Sequence, residues 1–193
     1  MSASILQIAR GKRMAYVTQS QPISSFPGLR SDFERLSWGL ALCELVVGIL
    51  PHEHPAAEEF SFVVRALHDL ETHERPRVAF VWATTHLLDV AGFSPSFDAC
   101  AVTGAGVQEA RPFVSPHAGG YVVAGEAMRF TDRLQTTAEV LYGLAAIEGC
   151  ESPPPKLKYT TETIRLLFQF WRAVVDRPLP AFEAALGLLL EPG

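Results

Sequence analysis

Groups able to bind a metal or move a proton are few and scattered in this chain. His52 and His54 flank Glu53 in the run PHEHP. Two imidazoles one residue apart make half of a transition-metal site, which needs three or four converging ligands. Set between two prolines, they read as a polar loop joining two helices. His86, four residues after Trp82, reads as a hydrogen-bonded and partly buried ring. Glu44 stands inside the apolar run LALCELVVGIL. A lone carboxylate there is costly unless it is partnered, so it predicts a structural partner, an arginine or a helix N-terminus, ahead of a catalytic role. Cys43, Cys100 and Cys150 are odd in number, widely spaced and without a CxxC, which argues against a disulfide framework. No phosphate-binding loop, dinucleotide fingerprint, HExxH or GxSxG is present. No set of converging groups points to an enzyme.

Basic residues offer a different chemistry. Arg10, Lys12 and Arg13 cluster around a turn with Tyr16 nearby. Cations beside an aromatic ring suit a single nucleic acid strand, through phosphate contact and base stacking; a solvated turn has the same composition. Lys156, Lys158, Arg165 and Arg172 form a second, weaker grouping whose default reading is a solvated helix face. The net charge of −5 is unevenly spread. Residues 1–30 carry four bases and no acid, whereas residues 31–74 carry nine acids against Arg35 and Arg65. A phosphate backbone is drawn to the first segment and repelled by the second.

These groups need a scaffold, and the apolar pattern predicts a mainly helical one. Residues 4–18 alternate around a Gly-Lys turn and read as a hairpin, followed by a connector over 20–28. Leu29, Phe33, Leu36, Leu40, Cys43, Val47 and Leu50 then form a helical stripe that Pro51 ends. Further helices are predicted from Pro55 through Leu70, and from Pro76 to Gly92. Thr131 is expected to cap a helix carrying Leu134, Ala138, Leu141 and Ala145. The last two helices carry residues 164–175 and 182–189. Between the helix ending at Gly92 and the one capped by Thr131, residues 93–127 are rich in Gly, Pro and Ser, with β-like pieces at 113–115 and 121–123. The expected fold is therefore mainly α: about six helices with a small β-hairpin insertion. No apolar run reaches the ~18 residues that span a bilayer, and residues 1–9 lack a secretory pattern, so a cytoplasmic protein is expected.

The segments LLDVAGFSPSFDAC (87–100) and FVSPHAGGYVV (113–123), together with the helix at 29–50 and PAAEEFSFVVRALHDLE after it, resemble the RecO family of DNA repair and recombination mediators. The resemblance runs over about residues 26–190. It implies an N-terminal OB-fold barrel, a central helical domain and a zinc-binding insertion, here a degenerate zinc-finger lobe at 93–127. It also implies a non-enzymatic protein of the RecF pathway type, associated with the nucleoid and needing no cofactor. Such a protein binds single- and double-stranded DNA, anneals complementary strands, and loads the recombinase with RecR and the single-strand-binding protein. The expected DNA contacts are Arg10, Lys12, Arg13, Lys156 and Lys158.

Two departures modify this expectation. The family's two Cys pairs match Cys100, Thr103, Val123 and Glu126 here, so no structural metal is expected even if His117 is added. A barrel needs about five strands, and residues 1–25 supply only a remnant and a connector, with residues 26–193 as the helical domain. The alternative expectation is a protein-interaction scaffold that has lost DNA binding.

Overall fold

Alternating side chains at the N-terminal end form an antiparallel hairpin, β1 (Ala3–Arg10) with β2 (Ala15–Ser24). The computed structural model describes residues 1–11, 14–50 and 56–190 of the chain. The hairpin is longer than the sequence predicts. β2 runs into the first part of the expected connector, as far as Ser24, with Pro22 opposite Ser4. Proline is tolerated there because a two-stranded ribbon consists only of edge strands, where its missing N–H need not pair. Both faces of the ribbon are largely exposed, including Ile5, Leu6, Ile8, Tyr16 and Val17.

The stripe that begins at Leu29 is divided between two helices. A single turn, α1 (Pro27–Ser31), precedes α2 (Phe33–Ile49). Asp32 breaks the path with an extended backbone, and its carboxylate accepts the Arg35 N–H at 3.0 Å. Aspartate is a strong N-cap, so satisfying the orphan amides of α2 outweighs continuing one helix through it. After α2 come α3 (Ala57–Thr72) and α4 (Pro76–Val90). The PHEHP loop and Pro55 fall outside the described residues.

The insertion follows α4. It contains β3 (Phe113–Ser115), β4 (Gly120–Val122), a single helical turn α5 (Ala124–Ala127), and β5 (Leu134–Gln135). These strands form one antiparallel sheet in the order β4-β3-β5. Then come α6 (Ala138–Glu148), α7 (Thr160–Val174) and α8 (Pro180–Gly187). Six helices of eight residues or more, with a small hairpin lobe, make the mainly α domain that the sequence predicts. Residues 131–135 are the exception. Thr131 caps nothing, Leu134 pairs with Val114, and the helix starts only at Ala138. The Asp132 carboxylate holds the hairpin turn, which fixes this stretch against β3 before a helix can begin.

The core is built around α4, which packs against α2, α3, α6 and α7. Ten of its fifteen residues are buried, and the Thr84 and Thr85 hydroxyls donate to the carbonyls of Phe80 and Val81. Aromatic rings connect the helices: Trp38–Phe80 at 4.7 Å, Phe80–Phe182 at 5.1 Å and Phe168–Phe182 at 5.1 Å between centroids. Edge-on and tilted pairs of this kind add to the area they bury. Among the described residues no helix is long and apolar enough to cross a membrane.

Glu44 finds the helix N-terminus that its position requires. Its two carboxylate oxygens accept the N–H groups of Ala181 and Phe182, each at 3.0 Å, at the start of α8. The carboxylate answers both the orphan amides and the positive end of the helix dipole. Glu44→Ala is expected to cost about 2 kcal/mol and lower the melting temperature by about 4–8 °C. Urea denaturation followed by circular dichroism measures this, and an unchanged midpoint would show that the cap contributes nothing. His86 is likewise structural: its Nδ1 lies 2.9 Å from the Trp82 carbonyl, and its ring packs on the Trp82 indole.

Candidate nucleic-acid interface

The lobe is positioned by close backbone contacts. Gly92, at φ +80°, ends α4, and the chain returns to the hairpin through residue 96. The Ser96 N–H donates to the Gly119 carbonyl at 2.9 Å, and the Tyr121 N–H donates to the Ser96 carbonyl at 2.8 Å. A Cβ on Gly120 would lie 2.1 Å from the Ser96 oxygen, so only glycine permits this approach.

Beside this seam, Cys100 sits in a tight turn. Its N–H donates to the Ala105 carbonyl at 2.7 Å, and Gly104 closes the turn with φ +73°. The sulfur is buried and accepts the Val123 N–H at 3.4 Å. Burial alone would raise the thiol pKa. The Thr103 hydroxyl, with the N–H groups of Val123, Thr103 and Val102, instead holds it below the ordinary value. The two halves of a metal knuckle are thus adjacent, yet the positions that would supply ligands do not fit zinc. Thr103 offers a hydroxyl and Val123 an apolar side chain packed on the core, while Glu126 pairs with Arg129. His117 is held by Asp132 at 2.9 Å. Among the described residues no three His, Cys, Asp or Glu side chains converge as a metal set. Other contacts hold the lobe: the buried Tyr121 hydroxyl donates to Glu109, and Asp132 accepts from the Ser115 hydroxyl at 2.7 Å and from the His117 N–H at 2.8 Å. Burial would raise the Asp132 pKa, but these hydrogen bonds hold it below the usual carboxylate range. Excess chelator is therefore expected to leave the melting temperature unchanged. A fall of several degrees, reversed by zinc, would show a metal-held lobe.

The exposed face of α7 lies beside this lobe, with recesses lined by residues of both. Ile164, Leu167, Phe168 and Trp171 point inward, leaving Glu162, Arg165 and Arg172 exposed and Gln169 half-buried. Arg165 and Arg172, seven residues apart, share one face about 10 Å apart along the axis. The lobe contributes Arg111 and Arg133 from the other side. A recess of about 450 Å³ is lined by Arg111, Leu134, Arg165 and Gln169 among others. A second, of about 350 Å³, shares Leu134 and Gln169 and adds Arg133, Asp132, His117 and Arg172. A third shares Pro116, His117 and Ala173 with the second. The three form one trough between α7 and the lobe.

The charge in this trough is available. Among the described residues, none of the four arginines lies within ion-pair distance of a carboxylate. Arg172 lies over the Phe168 ring at 5.9 Å, and Arg133 donates to the Phe130 carbonyl at 2.9 Å. Asp132 is engaged by Ser115 and His117, and Glu162 lies at one end. The acids Glu58, Glu59, Asp69 and Glu71 lie on α3, across α4 from α7. The molecule is polarised, with an acidic α3 flank and a basic α7 trough.

The structure separates the residues that the sequence groups together. Arg165 and Arg172 line the trough, whereas Lys156 and Lys158 are exposed on the connector before α7 and do not line it. Arg10 ends β1, and Lys12 and Arg13 lie outside the described residues. Sequence reasoning missed Arg111 and Arg133. Each is an isolated base in a loop, and only the fold places them opposite α7. The seven-residue spacing of Arg165 and Arg172 was the visible signal of a common face.

Residues 30–182 match the family model described as recombination protein O C terminal. The chain is 32% identical over 117 residues to the DNA repair protein RecO of Roseiflexus sp., covering 61% of this chain and 41% of that protein. It is 28% identical over 119 residues to DNA repair protein RecO of Dehalococcoides mccartyi, 62% and 47% of the two chains. To DNA repair protein RecO of Heliobacterium modesticaldum it is 32% identical over 126 residues, 63% and 45%. The matched region is less than half the length of each of these relatives.

Proposed function

The chain belongs to the recombination protein O C-terminal family, and from that premise we propose that it serves DNA repair and recombination by binding DNA in the α7 trough, without catalysis. The carrying observation is the row of four arginines, two from α7 and two from the lobe, with no carboxylate paired to them among the described residues. Guanidinium groups suit phosphate oxygens because their planar donors can engage two at once. Contacts of this kind position a strand without reading its sequence, and their strength falls steeply with salt. Strand annealing asks for that property, since both complementary strands must be held regardless of sequence. The bases Arg10, Lys12 and Arg13 of the N-terminal segment, with the exposed Lys156 and Lys158, extend the contact beyond the trough in this reading. The exposed apolar residues of the hairpin β1–β2 offer a surface for further strands or for a packing partner in this reading, because an isolated ribbon of this kind is marginal in water.

In this role the protein works with RecR and the single-strand-binding protein to deliver the recombinase. The acidic α3 flank favours a second reading, a scaffold that meets basic protein surfaces and leaves DNA to its partners. One experiment separates the two: retardation of single-stranded DNA by the full chain at about 50 and 200 mM salt, beside pull-downs with RecR and the single-strand-binding protein. Salt-sensitive DNA binding supports the mediator. Partner capture with no DNA binding at either salt supports the scaffold.

A further inference from the structure

The third recess of the trough differs from the other two. It holds about 270 Å³, and its walls are apolar: Leu88, Phe93, Pro95, Pro116 and Phe170, with His117 at the edge it shares with the second recess. Phe170 is buried, whereas Phe93 is 47% exposed, although its backbone is tied down by an N–H bond to the Leu88 carbonyl at 2.8 Å. An aromatic ring on a fixed backbone at the mouth of a recess is an unused stacking surface. His117 is the second exposed ring, and its orientation is set by Asp132 at 2.9 Å. The arginines stop where this recess begins, with Arg172 and Arg133 lining the neighbouring one.

We infer that this recess takes an unstacked nucleobase of a single-stranded nucleic acid whose phosphates lie along the arginines. The inference rests on the phosphate trough proposed above and names its substrate class. A group that fits must be flat and apolar on its faces and joined to an anion within one recess's length. A nucleotide is such a group, and base–aromatic stacking on Phe93 tolerates any sequence. A paired base in a duplex cannot enter, because it is held in the stack. An acidic peptide would satisfy the cations, but a peptide has no need of a row of arginines continuing along α7 past the recess.

The test is fluorescence anisotropy of the full chain with three ligands of equal length: an oligothymidine, a sugar-phosphate strand lacking bases, and a duplex. Oligothymidine is expected to bind about tenfold more tightly than the abasic strand. Phe93→Ala is expected to erase that difference and leave abasic-strand binding unchanged. Phe60→Ala, an exposed phenylalanine on the acidic flank, is the control and keeps the difference. Equal binding of the two strands, with both still weakened by Arg172→Ala, would overturn the base site and leave the trough standing. Loss of neither strand in Arg172→Ala would remove the trough and the base site together. A Phe93→Ala defect seen with a polyglutamate peptide and not with oligothymidine would assign the recess to a protein partner instead.

Discussion

The double variant Arg165→Ala/Arg172→Ala is expected to bind single-stranded DNA about a hundredfold more weakly than the native chain at low salt. Each guanidinium supplies a charge-assisted contact worth about tenfold in affinity. The two sit on one exposed face of α7, separated by about two helical turns, so one strand can meet both. Their removal is also expected to flatten the dependence of log affinity on log salt by about 1.4, because each neutralised phosphate on a single strand contributes about 0.7. The fold is expected to be unaffected, since both side chains are exposed and neither is ion-paired among the described residues. Arg30→Ala, on α1 against the acidic side, is the matched control and is expected to change affinity by less than about twofold. Anisotropy titrations at several salt concentrations measure both quantities. An unchanged slope would mean that phosphates do not contact this face.

Gly120→Ala is expected to destabilise the protein by about 3 kcal/mol or more and to lower its melting temperature by at least about 6 °C. The residue combines φ +141° with a backbone approach that leaves no room for a methyl group, 2.1 Å from the Ser96 oxygen. The neighbouring Gly119 separates the two causes. It also has a positive φ, +82°, but nothing lies within 4 Å of its Cβ direction. Gly119→Ala should therefore cost only about 1 kcal/mol, the left-handed penalty alone. Because Ser96, Gly120 and Tyr121 join the loop after α4 to the hairpin, Gly120→Ala should also displace Arg133 and His117 and weaken DNA binding. Thermal melts of both variants, read beside binding, test this. Equal destabilisation of the two would show that the close approach is not a constraint.

Much of this architecture is legible in the residues. The apolar stripes yield the helices because burial repeats every three to four residues whatever the tertiary partners are. Glu44 announces a partner because an isolated carboxylate in an apolar run is costly. The double glycine at 119–120 marks the hairpin because few other residues could occupy that turn. What is not legible depends on contacts distant in sequence. Leu134 fits a helical stripe and a strand equally well, and pairing with Val114 decides for the strand. Asp32 looks like one polar residue within a long stripe until its cap to Arg35 divides the helix. The trough is the least visible feature. Arg111, Arg133, Arg165 and Arg172 are spread over about sixty residues, and no local pattern marks the two that lie in loops. The cluster that is visible in sequence, at residues 10–13, stands out only because its members are adjacent.

A strand bound in the trough lies between α7 and the lobe, and photo-crosslinking reads that position. An oligonucleotide carrying 4-thiothymidine, irradiated with the full chain and digested, should mark peptides from residues 88–97, 111–137 and 160–174, with Phe93 and His117 among the attachment points. Crosslinks confined to α3, or to β1 and β2 with none on α7 or the lobe, would contradict it.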